Sequence, residues 1–130
     1  MELSQASKDK LSTVHQDLGK VILEVSKSIP LMVVCGHRDE LAQNEAYSSG
    51  ASKLPWPNSK HNSKPSLAID ISPIPYEIKN VKKLIYVAGF VMGTADRMGV
   101  TLRWGGDFNQ NLNPSDDTFQ DLYHFELVQK

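Results

Sequence analysis

One carboxylate inside an apolar segment constrains this sequence more than any other feature. Asp70 lies between Ile69 and Ile71 in the stretch 59–73 (SKHNSKPSLAIDISP), whose second half is typical of a buried strand. A charged side chain is costly to bury unless it pairs with another group or binds a metal. The polar first half of the stretch provides one such partner, His61. The chain must therefore fold so that Asp70 meets a cation or hydrogen-bond donors.

A second group with related chemistry lies near the other end of the sequence. Asp121 and His124 occur in the segment DLYHFELV, where the apolar residues again favour a strand. With His61 and Asp70 they make two histidines, a ligand carboxylate and a spare carboxylate, which is the inventory of a catalytic zinc site. Side chains three apart in a regular strand do not share a face, so we expect a bend from Asp121 to Tyr123.

Hydrolysis at such a site needs residues of these types. Zinc in hydrolases takes three protein ligands and keeps a fourth position for water, whose pKa falls towards ~7. A free carboxylate, here Asp121, accepts the proton of that water and passes it to the leaving amine. Arg38 follows a predicted strand and is placed to stabilise the oxyanion that forms. A surface salt bridge is the alternative role for Arg38.

Two other interpretations fit the same residues. Hydrogen bonds from His61 and His124 would satisfy a buried Asp70 without any metal. A structural zinc site, closed by four protein ligands, would make the chain a non-catalytic zinc-binding domain. Glu126, two residues after His124, is the candidate fourth ligand. The spare carboxylate of Asp121 favours the catalytic interpretation, because a structural site needs no base.

The spacing of apolar residues predicts three helices and four short strands. The predicted helices span 4–29, 39–49 and 80–98, and the predicted strands span 31–35, 67–72, 100–104 and 122–128. The stretches 50–66 and 105–118 are predicted loops. In the last helix, Gly89 and Gly93 are expected to permit close packing, and the residues expected to face inward are Leu84, Ile85, Ala88, Val91 and Met92.

Composition excludes several other classes of function. Lys and Arg number 14 against 15 Asp and Glu, with no basic block, so nothing indicates a nucleic-acid or membrane-surface partner. No apolar run is long enough to cross a membrane, and the first residues lack an export signal, so we expect synthesis in the cytoplasm. Cys35 is expected to be a buried core thiol. Asp107, Asp116 and Asp117 are expected to be solvated, because their spacing does not match an EF-hand loop.

Five short motifs, in order along the chain, resemble those of the zinc D-Ala-D-Ala carboxypeptidase and L-alanyl-D-glutamate peptidase family. They are GHR at 36–38, SKHN at 59–62, PSLAIDISP at 65–73, RWGGDF at 103–108 and DLYHFEL at 121–127. The family includes vancomycin-resistance peptidases and single-domain phage endolysins, and the long spacing between His61 and Asp70 is similar to that of endolysin members. The position of the base holds Asp121, where the dipeptidases have glutamate.

The resemblance implies a small α+β domain with helices packed on an antiparallel sheet that carries the metal. It implies one Zn²⁺ ion bound by His61, Asp70 and His124. Asp121 is then the catalytic base, and Arg38 holds the substrate or stabilises the transition state. The candidate substrate contacts are Ser59, His37 and Trp104.

The implied activity is hydrolysis of the L-Ala–D-Glu bond in the peptidoglycan stem peptide. D-Ala-D-Ala carboxypeptidase activity is the alternative within the family, and a non-catalytic zinc-binding or cell-wall-binding domain is the alternative from another class of function. We expect residues 1–130 to form one peptidase domain without a separate wall-binding module, and to act as a monomer. This organisation resembles a phage or prophage endolysin, which would wait in the host cytoplasm and reach peptidoglycan through a holin pore.

Overall fold

Helices and short strands alternate along the chain in the computed structural model, which describes residues 2–77, 79–113, 115 and 121–128. The elements in this part of the chain are α1 (Gln5–Leu11), α2 (Gln16–Ser26), β1 (Leu31–Cys35), α3 (Glu40–Ser48), a 3-10 turn (Lys60–Asn62), β2 (Ala68–Pro73), α4 (Val81–Arg97), β3 (Leu102–Trp104) and β4 (His124–Leu127). All four predicted strands occur, although β3 and β4 are shorter than expected.

The four strands form one antiparallel sheet in the order β1-β2-β4-β3. Because alternate side chains of a strand point to opposite faces, the sheet has one apolar and one polar face. The apolar face, which includes Ile69, Ile71 and Phe125, packs against α2 and α4 to form the core. Asp70 and His124 lie on the other face. The expected small α+β domain with an antiparallel sheet is confirmed.

The first predicted helix is broken into two, so the expectation of one helix over 4–29 is wrong. The break pairs with the loop before β2: the Ser66 N–H donates to the Thr13 carbonyl (2.9 Å), and the His15 N–H donates to the Ser66 carbonyl (2.8 Å). His15 then begins α2 as its N-cap. Periodicity does not reveal the break because the apolar residues around it are all buried, namely Leu11, Val14 and Leu18.

Helix α4 lies close to its predicted bounds, but its inward face is rotated slightly. Ile85 is 41% exposed, and Val87 is buried instead. A Cβ atom placed on Gly89 or Gly93 would meet nothing within 4 Å, so neither glycine permits close packing as expected. Among the described residues, no helix is long and apolar enough to cross a membrane.

The loop after β3 differs from expectation at its first acid. Asp107 is buried, and its Oδ2 accepts a hydrogen bond from the Leu112 N–H at 2.9 Å. The loop therefore folds back on this carboxylate, which is not a solvated acid. Asp116 and Asp117 lie outside the described residues.

Candidate active site

The candidate site is built around a row of side chains that crosses the sheet. Asp70 on β2 is the register partner of Cys35 on β1 and of His124 on β4. His124 Nδ1 lies 3.1 Å from Asp70 Oδ1. Strand pairing therefore brings together a carboxylate and a histidine that are far apart in the sequence.

His61 reaches the same carboxylate oxygen from the 3-10 turn. The turn is held by a capping box, in which Ser59 Oγ accepts a backbone N–H of the turn and Asn62 Oδ1 accepts the Ser59 N–H. The imidazole is 2% exposed, and its Nε2 lies 3.3 Å from Asp70 Oδ1. Its other nitrogen, Nδ1, lies 2.8 Å from the Gly36 carbonyl oxygen.

Hydrogen bonds on the far side of each imidazole define which nitrogen of the neutral ring faces Asp70 without a proton. His61 Nδ1 donates to the Gly36 carbonyl, and His124 Nε2 donates to Glu126 Oε1 at 2.8 Å. The inner nitrogens, His61 Nε2 and His124 Nδ1, then present lone pairs towards an anionic oxygen. Among the described atoms, buried His61 Nε2 has no hydrogen-bond partner. Two imidazole lone pairs and a carboxylate that converge in this way fit a bound metal cation.

The pKa shifts of the two histidines and of Asp70 also indicate that positive charge is stabilised at this site. Burial alone would lower the pKa of His61, but the hydrogen bonds that the protonated ring makes to Asp70 and Cys35 outweigh it and raise that pKa to about 10. Burial would also lower the pKa of His124, but hydrogen bonds to Asp70 and Glu126 outweigh burial and raise that pKa. The two histidines hold the pKa of Asp70 well below its usual range despite burial. Without a metal, the site therefore binds protons where a cation would otherwise lie.

Asp121 approaches the site from a turn, as the expected bend requires. Its backbone N–H donates to the Gly105 carbonyl (2.8 Å), and its carbonyl accepts the His124 N–H (3.2 Å). A Cβ on Gly105 would lie 2.0 Å from the Asp121 carbonyl oxygen, so this contact requires glycine. Ligand atoms of Asp70, Asp121 and His124 lie within 4.8 Å of one another. Burial and the charge of Asp70 raise the pKa of the Asp121 carboxyl group.

Ligand atoms of Cys35, His61 and Asp70 form a second cluster of the same size, which shares Asp70 with the first. The predicted ligand triad thus takes one histidine from each cluster. Cys35 is partly exposed beside the site, which corrects the expectation of a buried core thiol: its Sγ lies 3.9 Å from His61 Nδ1 and 3.5 Å from Arg38 Nη2. Burial raises the pKa of the thiol, but His61 and Arg38 outweigh it, so the pKa is lowered.

Arg38 lies beside the site through a buried polar network that the sequence does not indicate. Its Nη2 is 3.6 Å from Asp70 Oδ2, and its Nη1 donates to Gln43 Oε1 at 3.0 Å. Gln43 is fully buried in α3, also accepts a hydrogen bond from Asn62 Nδ2, and donates to the Leu54 carbonyl. Nothing in a polar helix sequence marks one glutamine as the partner of the arginine.

Glu126 contacts the outer side of the His124 ring, and neither of its oxygens points towards the point where His61, Asp70 and His124 converge. Oε1 accepts from His124 Nε2, while Oε2 lies 3.0 Å from Lys60 Nζ and 2.7 Å from Arg103 Nη2. The expectation that Glu126 is a candidate fourth ligand is therefore not supported. Its position two residues after the histidine, on the same face of a strand, is the sequence signal for this contact.

A cleft opens over these groups, and of the three candidate substrate contacts it includes only Ser59. The cleft is lined by Arg38, Ser59, Lys60, Arg103 and Asp121 together with the converging groups. Within the described ranges, neither His37 nor Trp104 lines it. Trp104 is buried in the core, where its Nε1 donates to the Leu122 carbonyl. Trp104 pairs with Phe125 and shares its apolar face, whereas Arg103 pairs with Glu126 on the polar face.

One protein family and one solved structure similar to this chain carry the same named activity. The sequence matches the family described as phage L-alanyl-D-glutamate peptidase over residues 1–128. Among solved structures, the chain is similar to the L-Ala D-Glu endopeptidase ChiX of Serratia marcescens, with 26% sequence identity and a TM-score of 0.74. That similarity covers 98% of this chain and 90% of the other. No curated protein matches the sequence.

Proposed function

Because this chain belongs to the phage L-alanyl-D-glutamate peptidase family, it is a peptidoglycan peptidase, and we propose that it hydrolyses the L-Ala–D-Glu bond with one zinc ion. The observation that carries the proposal is the convergence of His61 Nε2 and His124 Nδ1 on Asp70 Oδ1, with Asp121 beside them. In a metal-free cluster both rings would have to carry a proton on each nitrogen, because the outer nitrogens donate to the Gly36 carbonyl and Glu126 while the inner ones face Asp70; a bound cation would take the place of the two inner protons.

His61, Asp70 and His124 would hold the zinc ion. Two imidazoles and one carboxylate are the donors that zinc takes in hydrolases, whereas Ca²⁺ and Mg²⁺ take oxygen ligands. When bound, zinc supplies Lewis-acid chemistry, polarising the scissile carbonyl and lowering the pKa of water. The Gly36 carbonyl and Glu126 then keep the two imidazoles oriented, since each accepts the outer N–H of one ring.

Asp121 is the proposed catalytic base. Its carboxylate lies beside Asp70 and His124, so it can accept a proton from the attacking water and deliver that proton to the departing amine of D-Glu. Its raised pKa suits both steps, because a very weak base would not take up the proton. Arg38, held by Gln43, is placed to stabilise negative charge on the carbonyl oxygen during attack.

The peptide stem of peptidoglycan is accordingly the proposed partner. We further propose that the protein is a monomer, that residues 1–130 act as a single peptidase domain, and that the enzyme reaches the wall from the host cytoplasm through a holin pore. Sedimentation of the purified protein tests the first point, because a stable dimer would contradict it. Lysis in the presence and absence of a holin tests the last.

The deciding experiment is digestion of purified Gram-negative sacculi with zinc-loaded protein, followed by mass spectrometry. We expect peptides that begin with D-Glu, together with glycan strands that retain L-Ala. Release of terminal D-Ala alone would support the carboxypeptidase alternative. A protein that binds one zinc ion but releases no new amine would be a non-catalytic zinc-binding domain, and the proposal would be wrong.

A further inference from the structure

Two cations share one carboxylate oxygen at the edge of the cleft. Glu126 Oε2 lies 3.0 Å from Lys60 Nζ, 2.7 Å from Arg103 Nη2 and 3.2 Å from Arg103 Nε. The Glu126 side chain is 5% exposed, but those of Lys60 and Arg103 are 39% and 35% exposed. One negative charge against two positive charges leaves this group of three residues with a net positive charge. That excess charge faces the substrate cleft, which all three residues line.

Arg103 is held rigidly and still has donors for a ligand. Its guanidinium lies over the Phe108 ring, 5.4 Å from the centroid, and Nη1 donates to the Phe108 carbonyl at 3.4 Å. With the bonds to Glu126, these contacts within the described part of the chain use three of the five N–H groups of an arginine. A guanidinium fixed on one edge and free on another is suited to a planar carboxylate.

The position of Arg103 relative to the reacting groups limits what it can bind. Glu126 joins it to His124, since Oε1 accepts from His124 Nε2 at 2.8 Å while Oε2 faces Arg103. Arg38 lies on the other side of the row, next to Asp70. An anionic group that Arg103 binds therefore lies close to the scissile bond, away from the arginine assigned to the carbonyl oxygen.

The substrate carries such a group. In a stem peptide that continues through the side-chain carboxyl group of D-Glu, the α-carboxyl group is attached to the same carbon as the scissile nitrogen. This group is a carboxylate in some peptidoglycans and a carboxamide in others. We propose, building on the proposed function, that Arg103, assisted by Lys60, binds this α-carboxylate and so selects carboxylate stems over amidated ones.

A carboxamide would bind more weakly than a carboxylate at this position for two reasons. It carries no charge to offset the excess positive charge at the cleft edge, and its NH₂ group presents donors to the donors of a guanidinium. A charge-assisted pair of hydrogen bonds is worth roughly a tenfold or greater preference over this arrangement.

The test compares two synthetic substrates, L-Ala-γ-D-Glu-L-Lys and its counterpart with D-isoglutamine in place of D-Glu. Zinc-loaded wild-type protein, Arg103→Gln and the exposed control Arg97→Gln are assayed on both, with zinc content and thermal stability recorded for each. We expect the wild type and Arg97→Gln to prefer the carboxylate substrate by about tenfold or more in kcat/KM. Arg103→Gln should lose that preference, with a much smaller loss on the amidated substrate.

The pair of substrates separates recognition from positioning. If Arg103→Gln lowers kcat/KM on both substrates by the same factor, Arg103 only orients Glu126 and the inference is wrong. Equal wild-type activity on both substrates would also overturn it. If the wild type cuts neither, the proposed function fails and the inference fails with it. Should Arg103→Gln not fold, Arg103→Lys keeps the charge without the planar fork and should show a reduced preference.

Discussion

Asp70 and His124 face each other as register partners on neighbouring antiparallel strands, with 3.1 Å between Asp70 Oδ1 and His124 Nδ1. Cross-strand partners of this kind are held by the ladder hydrogen bonds on both sides of them. Two of the three proposed metal ligands therefore lie on the two inner strands of the sheet, and His61 is added from the 3-10 turn. A bound metal would link β2, β4 and the turn.

Removing the metal should make stability depend on pH in alkaline solution. In the metal-free protein the pKa of His61 is raised from 6.5 to about 10, so the stability it contributes is fully present below pH 6.5 and is lost as pH rises through about 10. The raised pKa of His124 acts in the same direction. We expect the Tm of the chelated protein to fall from pH 6.5 to 10 more steeply than that of the zinc-loaded protein, because bound zinc already holds deprotonated histidines. Parallel melting curves would contradict this.

Asp121→Asn should abolish most activity and leave the metal bound. The amide has nearly the same shape, but it cannot accept the proton of the attacking water, so kcat should fall by about 10²–10⁴-fold. Hydrolysis of sacculi and zinc content are measured on the same preparations. Asp96→Asn, on the exposed side of α4, is the matched control and should retain full activity. A fully active Asp121→Asn would mean that another group is the base.

Glu126→Gln should weaken zinc binding. The substitution removes the negative charge that accepts the outer N–H of His124 and that lies between Lys60 and Arg103. Loss of such a partner typically costs about 10–100-fold in metal affinity. Competition with a chromogenic chelator gives the Kd, and Glu24→Gln on α2 serves as an exposed control. An unchanged Kd would show that Glu126 does not orient His124.

Gln43→Met should impair both stability and catalysis. The side chains are similar in length, but methionine leaves Arg38 Nη1 without its acceptor and removes one of the two donors to the Leu54 carbonyl, the other being Ser52 Oγ. We expect a loss of about 2–3 kcal/mol in the free energy of unfolding, measured with urea. Because Arg38 would no longer be fixed, kcat should fall more than KM rises. Gln16→Met on the surface of α2 should change neither quantity.

Alanine at glycine positions should have opposite effects in two parts of the fold. Gly89→Ala and Gly93→Ala each place a methyl group in open solvent on α4 and should stabilise the protein by about 0.5–1 kcal/mol. At Gly36 a Cβ would lie 2.3 Å from Thr13 Oγ1 and 2.6 Å from the Lys10 carbonyl oxygen, so Gly36→Ala should be destabilising. Urea unfolding of the three variants tests this, and a stabilised Gly36→Ala would be inconsistent with the packing.

Residue types and motif order were enough to predict the antiparallel α+β fold and to nominate the groups that meet at Asp70. The sequence did not predict which face of the short strand β3 points towards the cleft. Alternation implies only that Arg103 and Trp104 point to opposite faces of the sheet. The pairing of Arg103 with Glu126, and of Trp104 with Phe125, shows that Arg103 is the one on the cleft side. Contacts between segments that are distant in the sequence were also not predictable from it. Ser66 pairs with the break in the first helix although four other elements lie between them in the sequence, and no residue near Thr13 indicates this contact.

The position of β4 between β2 and β3 has a consequence for how the enzyme folds during synthesis. A nascent chain carries His61 and Asp70 well before the ribosome reaches His124, yet until then the middle of the sheet is missing, and a zinc ion would find only two of its three proposed ligands. Sheet closure and hydrolytic competence should consequently arrive together, once β4 has been made and has paired with β2. Chains arrested before His124 should leave β2 open to proteases and should bind zinc weakly, whereas chains that include β4 should have a protected β2 and bind zinc tightly.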